Sequence, residues 1–166
     1  MPDQLIFRPD SFFLIPTNGS GRICDAWGRE LDRCNIATEA HWDHQVGALH
    51  FDEVFTYDSG RIDTLNWVMR PDPQGRMQTS EASVSQIRVW MDGPDYRMRF
   101  VRVGPPPFQR GEFLHDVRFS LVERGRAQKC ARMKWLGVTL ATMNAEHAHA
   151  EGPAGSPTGD ILLDLS

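Results

Sequence analysis

The sequence lacks several features that would place it in a familiar class of protein. No apolar run approaches the roughly 20 residues of a membrane-spanning helix, so we expect no membrane span. The N-terminus has neither a basic region nor a long apolar run, which predicts no signal peptide. The chain has only three cysteines and no Cys-x-x-Cys motif, which favours reduced thiols in a cytoplasmic protein.

Motifs for nucleotide binding and nucleophilic catalysis are also missing. The Gly19-Ser20-Gly21 segment is followed by neither the lysine nor the helix of a phosphate-binding loop. Neither Ser20 nor Ser59 lies in the strand–turn–helix context of a nucleophile elbow. The net charge of -4 does not favour nucleic acid or an anionic membrane as a partner. We therefore expect no cofactor and no nucleic-acid partner.

The histidines do not show the spacing of a metal site. His41, His44 and His50 are close in sequence, but no two of them are two residues apart, the spacing that puts both ligands on one face of a strand. His147 and His149 lie near the end of the predicted fold, where we expect exposed rings. The sequence therefore predicts no bound metal.

Composition and local pattern favour an all-β protein. Hydrophobic residues make up 40% of the chain and charged residues 24%, as in an ordinary globular domain. Segments of alternating polar and apolar residues recur between turn residues, while helical periodicity is scarce. They predict eight to nine antiparallel strands, which close most simply into an up-and-down barrel or half-barrel of the lipocalin or calycin type.

We expect a single β-barrel domain over residues 1–149. Residues 150–166 contain several glycines and prolines and end in a leucine-rich segment, which predicts a flexible tail. The leucine-rich end would dock on the barrel or on a neighbouring chain, an arrangement that allows a homodimer.

The clearest strand is predicted over residues 49–58. Its odd positions are Leu49, Phe51, Glu53, Phe55 and Tyr57, and alternate residues of a strand share one face. One face of this strand is therefore apolar with a single carboxylate in its middle. We expect this face to line the interior of the barrel.

The same region resembles a known family. The run from Phe51 to Gly60, followed by Trp67, is similar to the signature of the domain of unknown function 3833 family of bacterial proteins. Further agreement comes from Phe12-Phe13, Gly19, Gly21, Ala26-Trp27-Gly28, Trp42, Met133 and Leu136-Gly137. Residues 120–123 depart from the family's acidic, tryptophan-containing stretch. The resemblance covers roughly residues 12–147 and implies a lipocalin-like fold without implying a biochemical role.

Glu53 is the residue most suggestive of chemistry. A carboxylate on an apolar face is costly unless it is paired or protonated, and burial raises the pKa of a carboxyl group toward the range of a general acid or base. One interpretation makes Glu53 an acid/base, with His115 or Tyr57 as a partner in the interior. The other is structural: an arginine or a tryptophan indole satisfies the buried carboxylate.

Three functional hypotheses follow from this fold and these residues. In the first, the barrel binds a small apolar molecule, such as a fatty acyl, isoprenoid or polyketide-like compound, and Glu53 orients its polar group. The expected ligand-binding residues are Phe51, Phe55, Trp67, Met98, Phe100 and Phe119. In the second, the same cavity houses a cofactor-free isomerase, cyclase or hydratase. In the third, the barrel is filled and serves as a structural or interaction protein, which a salt-bridged Glu53 in a packed interior would favour.

Overall fold

The computed structural model describes residues 4–74 and 76–150. These residues form one short helix and ten strands. The helix α1 spans Pro9–Phe12, and the strands are β1 (Thr17–Asp25), β2 (Glu30–Asp43), β3 (Ala48–Tyr57), β4 (Ile62–Pro71), β5 (Met77–Ser80), β6 (Ser85–Asp92), β7 (Asp95–Val103), β8 (Glu112–Glu123), β9 (Arg126–Trp135) and β10 (Val138–His149).

The strands form one antiparallel sheet that curls into a nearly closed barrel. Their order is β5-β4-β3-β2-β1-β10-β9-β8-β7-β6, so consecutive strands pair except β5 with β6, and β1 pairs with β10. The two edge strands, β5 and β6, come close to each other and nearly complete the circle. The prediction of an all-β, up-and-down antiparallel barrel is confirmed.

The predicted number of strands, eight to nine, is wrong, because the sequence pattern misses β1. This strand contains Gly19 and Gly21, and glycine weakens the local signal for a strand. The structure shows why glycine is needed, since a Cβ on Gly19 would collide with the backbone oxygen of Glu146 on β10. Gly19, which weakens the strand signal in the sequence, is therefore also the residue that allows β1 and β10 to approach each other.

Alternation along the strands divides them into an inner and an outer face. In β3, Phe51, Glu53, Phe55 and Tyr57 are buried, as the period of two predicts. The hairpins β1–β2, β3–β4 and β9–β10 and the β7–β8 loop lie at one end of the barrel, called the open end below. The opposite end, called the closed end, carries the β2–β3, β6–β7 and β8–β9 turns.

The segment before β1 fills the closed end. Its three phenylalanines are almost fully buried, at 0% exposure for Phe7, 5% for Phe12 and 1% for Phe13. The Phe13 ring stacks on Phe51 with 4.1 Å between centroids, and Phe7 stacks on Phe119 at 5.2 Å. The backbone N–H of Phe7 also donates to the carbonyl of Pro94 in the β6–β7 turn. Among the described residues, these phenylalanines thus block the closed end of the barrel.

Residues 151–166 of the predicted tail lie outside the described residues. No helix in residues 4–74 and 76–150 is long and apolar enough to cross a membrane.

The three phenylalanines that fill the closed end, Phe7, Phe12 and Phe13, are called the plug below, and they predict a strong effect of one substitution. Replacing Phe13 by alanine removes a fully buried ring that stacks on Phe51, and such changes cost about 3–5 kcal/mol of unfolding free energy. Urea denaturation of the purified protein measures this value. Ile15→Ala is the matched control, because Ile15 is 47% exposed and should change stability by less than about 1 kcal/mol. Equal effects of the two substitutions would contradict the plug.

Candidate functional site

A buried ion pair crosses the interior of the barrel. The ammonium of Lys129 on β9 lies 2.7 Å from Oε2 of Glu53 on β3, and the indole N–H of Trp67 on β4 donates to Oε1 at 2.9 Å. The side chains of Glu53 and Lys129 are only 3% and 6% exposed. Strands β2, β1 and β10 separate β3 from β9 in the sheet, so the pair joins opposite walls. Both oxygens of Glu53 are bonded, the arrangement expected of an ionised carboxylate.

The surroundings explain how a lysine reaches the centre of an apolar barrel. Lys129 pairs across the strands with Ala145 on β10, and Ala145 pairs in turn with Gly21 on β1. These small residues leave room beside the lysine for its side chain to extend across the interior. At its far end the ammonium lies 4.9 Å from the centroid of the Phe55 ring and 5.2 Å from that of Phe119. The negative faces of these rings add to the stabilisation of the charge by Glu53.

A small cavity lies on the open-end side of this pair. Its volume is about 60 Å³, and its wall is mainly apolar. The predicted site residues Phe55, Tyr57, Phe100 and His115 line it, together with Lys129. Ligand pockets typically hold about 300–1,000 Å³, so this cavity admits only a small group unless its wall rearranges. Met133 and Met143, two flexible side chains suited to repacking, also belong to the wall.

The three candidate catalytic residues do not form one unit. His115 and Tyr57 lie in the cavity wall, whereas Glu53 is bonded to Lys129 and Trp67. Nε2 of His115 lies 3.2 Å from the carbonyl oxygen of Arg102, and its ring stacks on Phe100. Burial lowers the pKa of His115 to about 4, which keeps it neutral at pH 7, and burial raises the pKa of Tyr57 above its ordinary value.

The other ligand-binding candidates occupy different parts of the interior. Phe51 and Phe119 pack against the phenylalanines of the plug at the closed end. Trp67 bonds to Glu53 and contacts Phe100 edge-on, and Met98 is buried. All six candidates therefore face inward, but only Phe55 and Phe100 line the cavity. Their roles in binding a ligand stay predictions.

Sequence analysis missed Lys129, although a signal for it exists. In β9, Ala127, Ala131 and Met133 share its face, so a lone cation lies among apolar residues as Glu53 does in β3. The structural interpretation of Glu53 offered an arginine or a tryptophan indole as its partner; the indole is that of Trp67, and the cation is a lysine. An isolated carboxylate on one inner face and an isolated cation on another would have predicted the pair.

The prediction that His147 is exposed is wrong. Strand β10 continues to His149, which pairs with Thr17, and this places His147 inside the barrel at 0% exposure. Nδ1 of His147 lies 3.4 Å from Oγ1 of Thr17, which is 2.5 Å from Oγ1 of Thr38. Among the described residues, Nε2 of His147 has no hydrogen-bond partner. Burial and the positive charge of Lys129 lower the pKa of His147 to about 4.

The described residues contain no group of three or more histidine, cysteine, aspartate or glutamate side chains arranged to hold a metal ion. Cys24, Cys34 and Cys130 are all free. Burial raises the pKa of the Cys34 thiol to about 11, so this cysteine is protonated at neutral pH. A thiolate nucleophile at Cys34 is therefore not indicated.

Comparison with known proteins agrees with this architecture. The family model described as "Protein of unknown function (DUF3833)" matches residues 3–146. Among solved structures, the S-type phycobiliprotein lyase CPES from Guillardia theta superposes with a TM-score of 0.59 and 7% sequence identity. The match covers 89% of this chain and 95% of the lyase, and at this identity it supports a shared fold alone. No curated protein sequence matches the chain significantly.

The ion pair predicts strong coupling between two substitutions. Lys129→Met or Glu53→Gln alone should cost about 3–5 kcal/mol of unfolding free energy, because each removes one partner of a buried, hydrogen-bonded pair. The double variant should cost less than either single variant, since glutamine keeps an acceptor for Trp67 and no unpaired charge remains. Urea denaturation of the four proteins gives the coupling energy. As a control, Arg126→Gln breaks an exposed pair with Glu146 and should cost at most about 1 kcal/mol. Additive effects of the two interior substitutions would contradict the pair.

His147 predicts how stability depends on pH. Its pKa is lowered from 6.5 to about 4, so between these values the unfolded chain binds a proton that the folded protein does not. Stability should therefore be complete above about pH 6.5 and fall as the pH decreases toward 4, by up to about 1.4 kcal/mol per pH unit for each such histidine. His147→Gln should reduce this slope, which urea denaturation at several pH values measures. The control is His44→Gln at an exposed position, and a slope unchanged by His147→Gln would contradict the assignment.

Proposed function

The chain belongs to the DUF3833 family, and we propose that its barrel binds a small, mostly apolar and uncharged molecule through the open end. The observation that carries this proposal is that Lys129, a lysine with a buried side chain, lies in the wall of a mainly apolar cavity. A buried polar donor beside an apolar space is the combination by which ligand pockets orient their ligands. In this proposal Lys129, more than Glu53, contacts the polar end of the ligand.

Electrostatics favours an uncharged ligand. The carboxylate of Glu53 already balances the charge of Lys129, so a ligand carboxylate would have to compete with Glu53 for the same ammonium. Arg102, the other cation of the cavity wall, likewise lies 3.7 Å from the carboxylate of Asp63. A charged group entering the interior would then be left without a full counter-charge, which is costly in an apolar environment. A carbonyl or hydroxyl oxygen accepts a hydrogen bond from the ammonium at no such cost. Ketones, aldehydes, esters and alcohols on an apolar skeleton fit this requirement.

The size of the cavity restricts the ligand further. A space of about 60 Å³ does not hold a complete fatty acyl or isoprenoid chain. Such a chain would enter only if Met133, Met143 and the residues 104–111 loop moved away from the interior. We therefore expect a compact ligand, or one whose polar end enters the cavity while the rest extends through the open end.

Native mass spectrometry of the purified full-length chain tests the proposal. We expect an additional mass that disappears on denaturation and is recovered by solvent extraction as a neutral compound with an oxygen acceptor. The ligand should be lost from Lys129→Met, because the donor is gone. Trp90→Phe, at the outer face of β6, is the matched control and should retain it. Retention of the ligand by Lys129→Met would contradict the role assigned to this lysine.

A second candidate is the filled barrel that acts as a structural or interaction protein. The specific observation in its favour is that Glu53 is salt-bridged and that phenylalanines occupy the closed end, so that little open volume is left. A mass equal to that of the polypeptide alone, in native spectra of protein from several growth conditions, would favour this candidate. An enzyme using Glu53 as acid/base is less compatible with the structure, since the carboxylate would first have to leave Lys129.

A further inference from the structure

The most exposed large apolar side chains are gathered at one end of the barrel. Among the large apolar side chains of the described residues, the five highest exposures are 91% for Trp27, 82% for Leu136, 64% for Ile62, 61% for Val138 and 58% for Trp135. The other eight exposed ones, elsewhere on the surface, are 36–52% exposed. All five lie on hairpins of the open end, and we call them the apolar rim. Scattered exposed apolar residues are normal on protein surfaces, whereas a concentration around one opening indicates a binding surface.

Backbone pairing places these hairpins side by side. Asp25, at the end of β1, pairs with Ala141 of β10, so the β1–β2 hairpin with Trp27 adjoins the β9–β10 hairpin with Trp135 and Leu136. On its other side, the β1–β2 hairpin adjoins the β3–β4 hairpin, since Cys34 of β2 pairs with Tyr57 of β3. The apolar rim therefore follows three consecutive hairpins along one side of the cavity mouth.

Leu136 is held exposed in an unfavourable backbone conformation. It has a φ of +48° and is followed by Gly137 with a φ of +81°, which are the signs required of a two-residue type I′ turn. Asparagine or glycine suits the first of these positions, while a leucine there is strained and gains nothing from burial. Leucine is unfavourable both in this turn and on the surface. An interaction with something outside the folded chain is the most direct explanation for its presence.

The Trp27 hairpin is held by several hydrogen bonds even though its tip is exposed. The carboxylate of Asp25 accepts hydrogen bonds from the backbone N–H groups of Trp27 and Arg29, at 3.0 and 2.9 Å. The side chain of Arg29 bonds to the other oxygen of the same carboxylate. Trp27 is therefore held in solvent by a hydrogen-bonded turn and does not pack against the barrel.

We propose that the apolar rim docks on the surface of a phospholipid bilayer. Tryptophan side chains favour the interface between lipid head groups and acyl chains, and leucine, isoleucine and valine favour the layer beneath it. The charges at the two tryptophan-bearing hairpins suit an anionic surface. Arg29 is 78% exposed, while its partner Asp25 is 9% exposed, and Lys134 is 24% exposed against 8% for its partner Asp116. Arg29 and Lys134 are thus more exposed to solvent than the carboxylates with which they pair.

The net charge of the whole chain gives no sign of this attraction to an anionic surface. A net charge of -4 predicts no attraction to anionic lipids, but it averages over the whole chain, and electrostatic attraction to a membrane acts within about 10 Å. Docking in this orientation would place the cavity mouth against the bilayer, so that an apolar compound could pass between lipid and barrel without crossing water. The docking itself does not require the cavity to be occupied.

Sedimentation of the full-length chain with lipid vesicles tests the docking. One set of vesicles contains phosphatidylcholine alone, and the other an equal mixture of phosphatidylcholine and phosphatidylglycerol. We expect binding to the mixed vesicles, weaker binding to the neutral ones, and a blue shift of tryptophan emission on binding. Trp27→Ser and Leu136→Asn should each weaken binding about tenfold, the effect of withholding one large apolar side chain from the lipid. The control variant Trp90→Ser, on the outer face of β6, should bind as the unmodified protein does.

Leu136→Asn separates docking from folding. Asparagine relieves the strain at a positive φ, so this variant should unfold at a higher urea concentration than the unmodified protein while binding vesicles less tightly. Failure of the unmodified chain to bind either set of vesicles would overturn the proposal. So would unchanged binding by both rim variants, or a dimer in size-exclusion chromatography that the rim variants dissociate, since the rim would then meet a second copy of the chain.

Discussion

The structure depends above all on the ion pair between Glu53 and Lys129, because it sets two opposite charges inside an apolar barrel. The pair links β3 to β9 across the interior, and Trp67 completes the bonding of the carboxylate. Either charge alone would be expensive at this depth, so each residue is acceptable only in the presence of the other. The small residues Ala145 and Gly21 beside Lys129 are part of the same constraint, since they leave space for its side chain.

The pair also divides the interior into two parts with different contents. Toward the closed end lies a packed aromatic region in which Phe7 stacks on Phe119. Toward the open end lies the cavity, with Phe55 in its wall. The ammonium of Lys129 is over both Phe55 and Phe119, at the boundary between the two parts. In the proposed binding mode, a ligand that enters from the open end would therefore meet the lysine at the deepest point of the cavity.

Sequence analysis identified the barrel and Glu53 but not the partner of Glu53, and the reason is physical. In β3 the large side chains of Phe51 and Phe55 make the alternation obvious, whereas in β9 the neighbours of Lys129 are alanines, which mark an inner face weakly. Glu53 and Lys129 are 76 positions apart in the sequence, so no local pattern indicates their contact. The plug was missed because Phe7 and Phe13 have no strand or helix period, and their place depends on the finished barrel.

Nuclear magnetic resonance of the Lys129 side chain tests the central claim most directly. In uniformly ¹⁵N- and ¹³C-labelled protein at neutral pH, the account predicts a slowly exchanging ammonium signal for Nζ, close in space to Phe55 and Phe119, and a carboxylate signal for Glu53. Both signals should disappear or shift in Glu53→Gln and Lys129→Met. A protonated carboxyl group at Glu53 beside a neutral amine at Lys129, or a rapidly exchanging, water-exposed ammonium, would contradict the buried ion pair on which this account is built.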